Sequence, residues 1–169
     1  MIEILENIYY FLSKLLPYSF GIALIGFLMS FIADIAKNIK FKKICFILFL
    51  QIFVMGFIMF ALQEIIIRKI RNEVVEILSD PKTQIITSRN DFEILPNELK
   101  KELLKIQDIS PNHTGPEDKK PIEVISPKGI FKIFIGRDSA NKNQFWIFTD
   151  RYEFGKEQEI GRVTSTLIK

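Results

Sequence analysis

The stretch that decides the fold is LLPYSFGIALIGFLMSFIADIAKNIKFKKICFILFLQIFVMGFIMFALQEIII, residues 15–67. It contains two long apolar runs, residues 15–36 and 44–67. Between them lies Ala36-Lys37-Asn38-Ile39-Lys40-Phe41-Lys42-Lys43. An apolar run of about 18 residues or more with few charges has the length and chemistry of a membrane-crossing helix. At about 1.5 Å of rise per residue, 20 residues cross a hydrocarbon core of roughly 30 Å. The expectation is therefore a hairpin of two spans, about 17–36 and 44–67, joined by a basic loop over 37–43.

Working outward, residues 1–16 alternate differently. Glu3, Glu6, Asn7, Tyr10, Ser13 and Lys14 recur at steps of three and four, with Ile4, Leu5, Ile8, Phe11, Leu12 and Leu15 between them. That is the helical period. It predicts an amphipathic helix lying in the membrane interface. Pro17 suits the first turn of a new helix, where its missing N–H costs nothing. A secretory signal would show a basic start and a shorter apolar core. Glu3 and Glu6 precede any lysine here, so the first run is expected to be retained.

Within the first span, Ser19, Ala23, Gly26, Ser30 and Ala33 form a seam of small residues on one helix face. In lipid, such seams let two backbones approach closely. The partner is either the second span of the same chain, or a second copy or another membrane protein. Asp34 and Glu64 sit near the ends of the spans, where ion pairs with Lys14 and the lysine loop explain them. Gln51 is the one polar residue expected to make a buried contact within a span. Lysine and arginine bias is nearly balanced across the two sides. The denser charge of the loop favours loop inside and both termini outside. The C-terminal part is then extracytoplasmic, in an envelope whose Ile-, Lys-, Phe- and Asn-rich composition points to a bacterial inner membrane.

Beyond residue 67 the apolar helical pattern continues through Ile70, Val74, Ile77 and Leu78 until Ser79-Asp80-Pro81 stops it. This predicts a stalk helix over 68–80. The remainder, 81–169, reads as a small soluble α+β domain. It has a short strand near 83–87, a helix over 96–107 and a loop over 108–120. Strands follow over 121–125, 130–137, 144–152 and 159–168. The turn Ser126-Pro127-Lys128-Gly129 sets Ile125 opposite Ile130 and Glu123 opposite Lys132. The expected fold class is thus α+β: an N-terminal two-helix hairpin, then a four- to five-stranded, mainly antiparallel sheet with one or two helices. Simple alternation puts Val124, Phe131, Ile133, Trp146 and Phe148 on one sheet face. The other face, Ile130, Phe134, Phe145 and Ile147, is then a candidate binding face.

The charges exclude some functions. From Arg68 onward, 18 basic and 16 acidic residues are interspersed, without the basic stripe of a nucleic-acid binder. The single cysteine, Cys45, forms no intrachain disulfide. With one cysteine and one histidine (His113) there is no zinc-type ligand spacing and no catalytic triad. Phosphate-binding glycine motifs are missing too. Residues 138–143 are oxygen-rich but do not follow the calcium-loop layout. No catalytic residue, cofactor or metal is expected. The expected role is a membrane-anchored, non-catalytic binding or accessory module, such as an immunity-type protein or an accessory subunit. Its partners are the bilayer and another membrane or envelope protein or a second copy. The alternatives are an oligomeric pore or transporter subunit, and a membrane enzyme whose site the sequence hides.

Overall fold

A computed structural model describes residues 1–87, 92–108 and 114–168. Two long apolar helices, α1 (Ile2–Ile35) and α2 (Ile39–Ser79), come first. They are followed by β1 (Gln84–Ile86), α3 (Pro96–Leu103), β2 (Lys120–Ser126), β3 (Gly129–Arg137), β4 (Gln144–Thr149), α4 (Glu153–Glu157) and β5 (Gly161–Thr164). The chain forms two compact units, Met1–Ile65 and Ile66–Lys169, so the division falls inside α2.

In the N-terminal unit the helix does not restart at Pro17. It runs through the proline, which lies inside α1. The connection to α2 is also shorter than the expected 37–43 loop. Lys37 N–H donates to Asp34 O at 3.1 Å and Asn38 N–H to Ala33 O at 3.0 Å. This pair of bonds is the Schellman closure of a helix C-terminus. Lys37 takes the left-handed conformation, φ 52°, that glycine usually supplies there. Asn38 then caps α2 at once, its Oδ1 accepting from Phe41 N–H at 3.1 Å. Lys40, Lys42 and Lys43 therefore lie in the first turns of α2. Lys42 Nζ reaches back to Asp34 Oδ1 at 2.6 Å. Glu64 and Lys14 form no ion pair among the described residues.

The C-terminal unit is an antiparallel five-stranded sheet in the order β1-β2-β3-β4-β5. The β2–β3 hairpin has the anticipated register, Ile125 with Ile130 and Glu123 with Lys132. Gly129 adopts φ +113°, a conformation that closes this turn and favours glycine. The segment read as a stalk, 68–80, is instead part of this unit's core. Ile70, Val74 and Leu78 are fully buried, as is Ile66 just before them. Thr83 Oγ1 donates to Ile77 O at 2.7 Å, tying the helix end to the start of β1. Leu99 and Leu103 of α3 complete the helical layer. The sheet presents Ile122, Val124, Phe131, Ile133, Ile135, Ile147 and Val163 to the core. A sheet with one helix-covered face follows from the apolar stripe of α2, which must be buried against something.

Several boundaries are shorter than the apolar pattern implies. α3 ends at Leu103 rather than 107, and Gln107 forms an isolated bridge with Arg162. β4 stops at Thr149 because residues 153–157 turn into α4, which the sequence pattern did not reveal.

Candidate functional site

The register of β3 against β4 overturns the expected sheet faces. A symmetric closure of the loop 138–143 sets Arg137 opposite Gln144. The structure sets Arg137 opposite Phe145 and Ile133 opposite Thr149. A slip of one residue exchanges the two faces of a strand. Phe145 and Ile147, 2% and 0% exposed, therefore lie on the core face with Ile133 and Ile135. Trp146 and Phe148 join Phe134 on the outer face. Of the candidate binding face Ile130, Phe134, Phe145 and Ile147, only Ile130 and Phe134 point outward. Ile130 is 65% exposed, Phe134 is half-buried, and Ile86 adds a second open apolar side chain.

Asp138 anchors the loop in this slipped register. It is buried, and its Oδ1 accepts from Ala140 N–H and Asn141 N–H, both at 2.9 Å. Its Oδ2 accepts from Thr114 Oγ1 at 2.6 Å and Trp146 Nε1 at 2.8 Å. The backbone follows: Asp138 N–H donates to Gln144 O at 2.9 Å. Burial alone raises a carboxyl pKa, but these four donors outweigh it and hold Asp138 far below the usual carboxylate range. Beside it, Arg162 is buried, forks onto Glu159 at 2.8 and 2.9 Å, and stacks 3.6 Å over the Trp146 ring. Lys119 Nζ lies 3.4 Å over the Phe148 ring, and burial lowers its pKa. Charged and aromatic groups thus cover this half of the outer face. The network satisfies its own members and orders the loop, a structural role.

At the opposite face, Phe92, Ile135, Phe145 and Ile168 wall a cavity of about 200 Å³. Glu117, Asp118, Lys120 and Arg137 line it too. It is smaller than the roughly 300–1,000 Å³ usual for small-molecule sites. A second polar cluster ties α2 to the segment after β4 within the same unit. Tyr152 Oη donates to Glu73 Oε2 at 2.7 Å and Arg151 Nε to Glu73 Oε1 at 2.9 Å. Burial and the bond to Glu73 push the Tyr152 phenol up to about 12. Among the described residues no group of three or more His, Cys, Asp or Glu is placed to hold a metal ion. His113 and the Asn112-His113-Thr114 sequon fall at or next to positions outside the described residues.

In the N-terminal unit the small-residue seam faces α2. Ser19, Ala23, Gly26 and Ala33 are buried, and Ser30 lies at its margin, its hydroxyl donating to Phe27 O at 2.6 Å. A Cβ at Gly26 would lie 2.8 Å from both Cys45 O and Leu48 Cβ, so only glycine permits this approach. Gln51 Nε2 donates to Ser19 O at 2.9 Å. The other helix faces carry large apolar side chains that lie mostly open. Phe20, Ile25, Leu28 and Phe31 on α1, and Phe46, Ile47, Phe53, Phe57 and Phe60 on α2, are each more than half exposed.

Both helices are long and apolar enough to cross a membrane, and only 17% and 6% of their most apolar stretches are buried. Buried core helices of a water-soluble protein would be largely covered. No protein-family model, curated protein or solved structure significantly matches the chain.

Proposed function

We propose that the chain is an integral membrane protein that holds a small, non-catalytic α+β unit at the membrane surface. There the unit acts as a protein-binding or accessory module. The observation that carries this reading is the belt of bare aromatic and aliphatic side chains around both N-terminal helices. Contiguous apolar surface beyond a few hundred Å² is rarely left to water, and lipid is the solvent that matches it. The seam satisfies the hairpin internally, and the belt faces the acyl chains. The four lysines at the turn and the start of α2, Lys37, Lys40, Lys42 and Lys43, favour the cytoplasmic side of a bacterial inner membrane, with both termini outside. Anchoring then confines the C-terminal unit to a thin layer and raises its effective concentration toward other membrane or envelope proteins. The open part of the outer sheet face, Ile130 with Ile86, is the contact surface this reading favours.

The test is fractionation of the full chain in membranes. It should stay in the pellet through alkaline carbonate extraction and leave it only with detergent. Recovery as a monodisperse species in detergent-free buffer overturns the anchor. A periplasmic reporter joined after Lys169 should be active, and activity of a cytoplasmic reporter instead inverts the topology.

A further inference from the structure

Among the described residues of the C-terminal unit, four arginines are partly or fully buried: Arg71, Arg137, Arg151 and Arg162. Three of them pair with a carboxylate. Arg71 meets Asp108 at 3.4 Å, Arg151 meets Glu73 at 2.9 Å and Arg162 meets Glu159 at 2.8 Å. Arg137 has no such partner among the described residues; its guanidinium lies 5.5 Å over the Phe145 ring. A guanidinium drawn partly out of water is costly unless an anion meets it. Arg137 lines the cavity of about 200 Å³ at the end of the sheet.

The backbone shapes the mouth of that cavity. Pro116 stands opposite Asp138 and Lys120 opposite Ile135, so four steps on one strand face three on the other. The extra residue is a β-bulge at Asp118–Lys119, seated on Gly136, where a Cβ would lie 2.7 Å from Pro116 Cβ. The bulge resets the alternation. Lys119 goes to the outer face over Phe148, and Lys120 stands beside Ile135 on the core face. Glu117 N–H donates to Arg137 O at 2.7 Å, which holds Glu117 across the ladder from Arg137. Even so, neither Glu117 nor Asp118 has an ion pair among the described residues. The two carboxylates and the guanidinium line one cavity without meeting.

The floor is apolar: Phe92, Ile135, Phe145 and Ile168 are each no more than 8% exposed. A cavity of ~150 Å³ with such a lining holds a benzene ring. This one therefore suits a branched aliphatic or single-ring group with a small polar head. The lining charges cancel, Lys120 and Arg137 against Glu117 and Asp118. A lone anion or a lone cation would satisfy one pair and be repelled by the other. An α-amino acid carries both charges on the carbon that bears its side chain.

We propose that this cavity binds a free α-amino acid with a compact apolar side chain, leucine-like in size. Its carboxylate meets Arg137, its ammonium meets Glu117 and Asp118, and its side chain lies on the apolar floor. This goes beyond the anchoring role and does not rest on it.

The test is isothermal titration calorimetry of the full chain in detergent micelles with L-leucine. Saturable heat is expected. Arg137→Gln should weaken binding roughly ten- to hundred-fold, the worth of hydrogen bonds to a charged group. The double variant Glu117→Gln/Asp118→Asn should weaken leucine and strengthen isocaproate, which keeps the side chain and carboxylate but lacks the ammonium. Such a reversal of preference is not produced by a loss of stability, and the urea midpoint of Trp146 fluorescence checks that each variant is folded. The dipeptide Gly-Leu, whose charges are separated by a peptide unit, should bind more weakly than leucine. Absence of saturable heat from leucine, isoleucine, valine and phenylalanine at millimolar concentration overturns the site. Equal affinity of the unaltered protein for leucine and isocaproate overturns the zwitterion, and tighter binding of Gly-Leu overturns the free amino acid. Carbonate extraction bears on the anchor alone, so the two readings fail separately.

Discussion

Removal of the Asp138 carboxylate should cost the C-terminal unit a large part of its stability. The carboxylate serves four donors: Thr114, Trp146, Ala140 and Asn141. Ala140 and Asn141 are exposed, so their N–H groups can turn to water. Thr114 and Trp146 are half-buried, so their donors are harder to resolvate. A hydrogen bond to a charged group contributes about 1.5–3 kcal/mol, and an orphaned buried donor costs about 1–3 kcal/mol. Two such losses put Asp138→Ala at about 3–5 kcal/mol. Asp138→Asn retains one acceptor oxygen and should cost about half of that. Trp146 is the only tryptophan, so its fluorescence during urea unfolding in detergent reports on this unit alone. The pH dependence gives a second signature. The folded pKa lies below the unfolded value of about 3.9, so the stabilisation is complete above that value and is lost as pH falls through the folded one. The gap between wild type and Asp138→Asn should therefore be constant near neutrality and shrink below pH ~4. A cost under about 1 kcal/mol for Asp138→Ala, the scale of an ordinary surface change, would refute the assignment of Asp138 as the loop's organiser.

Three further outcomes are expected. Phe145→Ala and Ile147→Ala should each destabilise by about 2–5 kcal/mol, whereas Ile130→Ala should stay within about 0.5 kcal/mol; the reverse order in urea titrations would restore the symmetric register. Gly26→Leu forces a side chain against Cys45 O and Leu48 Cβ and should cost the hairpin about 1–3 kcal/mol. Cys45, now 2% exposed, should then react with maleimide in detergent, and unchanged protection counts against the close approach. Tyr152 should titrate at about 12, seen as the phenolate absorbance lost in Tyr152→Phe. Its folded pKa is raised, so its stabilisation is full below the free phenol's value of about 10 and disappears as pH rises through 12. Glu73→Gln should bring that midpoint down, and an unmoved midpoint removes Glu73 as a cause.

Much of this architecture is written in local pattern. The two apolar helices are visible as runs too long and too free of charge to be anything but continuous helix. The β2–β3 register is visible because a four-residue turn and a Glu123–Lys132 pair agree on it. The Gln51 contact is visible as the amide nearest the middle of an apolar run. Other features are invisible locally. Lys37 takes a conformation that its residue type does not advertise, so the tight turn at 36–38 reads as a longer basic loop. Residues 66–79 carry an apolar stripe that suits either an exposed stalk or a core helix, and only the sheet packed against it decides between them.

The sequence by itself determined element types, the apolar belt and the absence of familiar catalytic motifs, because each depends on residues within a few turns of one another. The tertiary structure alone decided which sheet face is open and which residues fill the core. The reason is parity. Side chains alternate along a strand, so one residue of slip at the Asp138 loop exchanges the faces of β4. That slip is held by bonds from Thr114 and Trp146, which lie 24 and 8 residues away from Asp138 in the chain and meet it only in the fold.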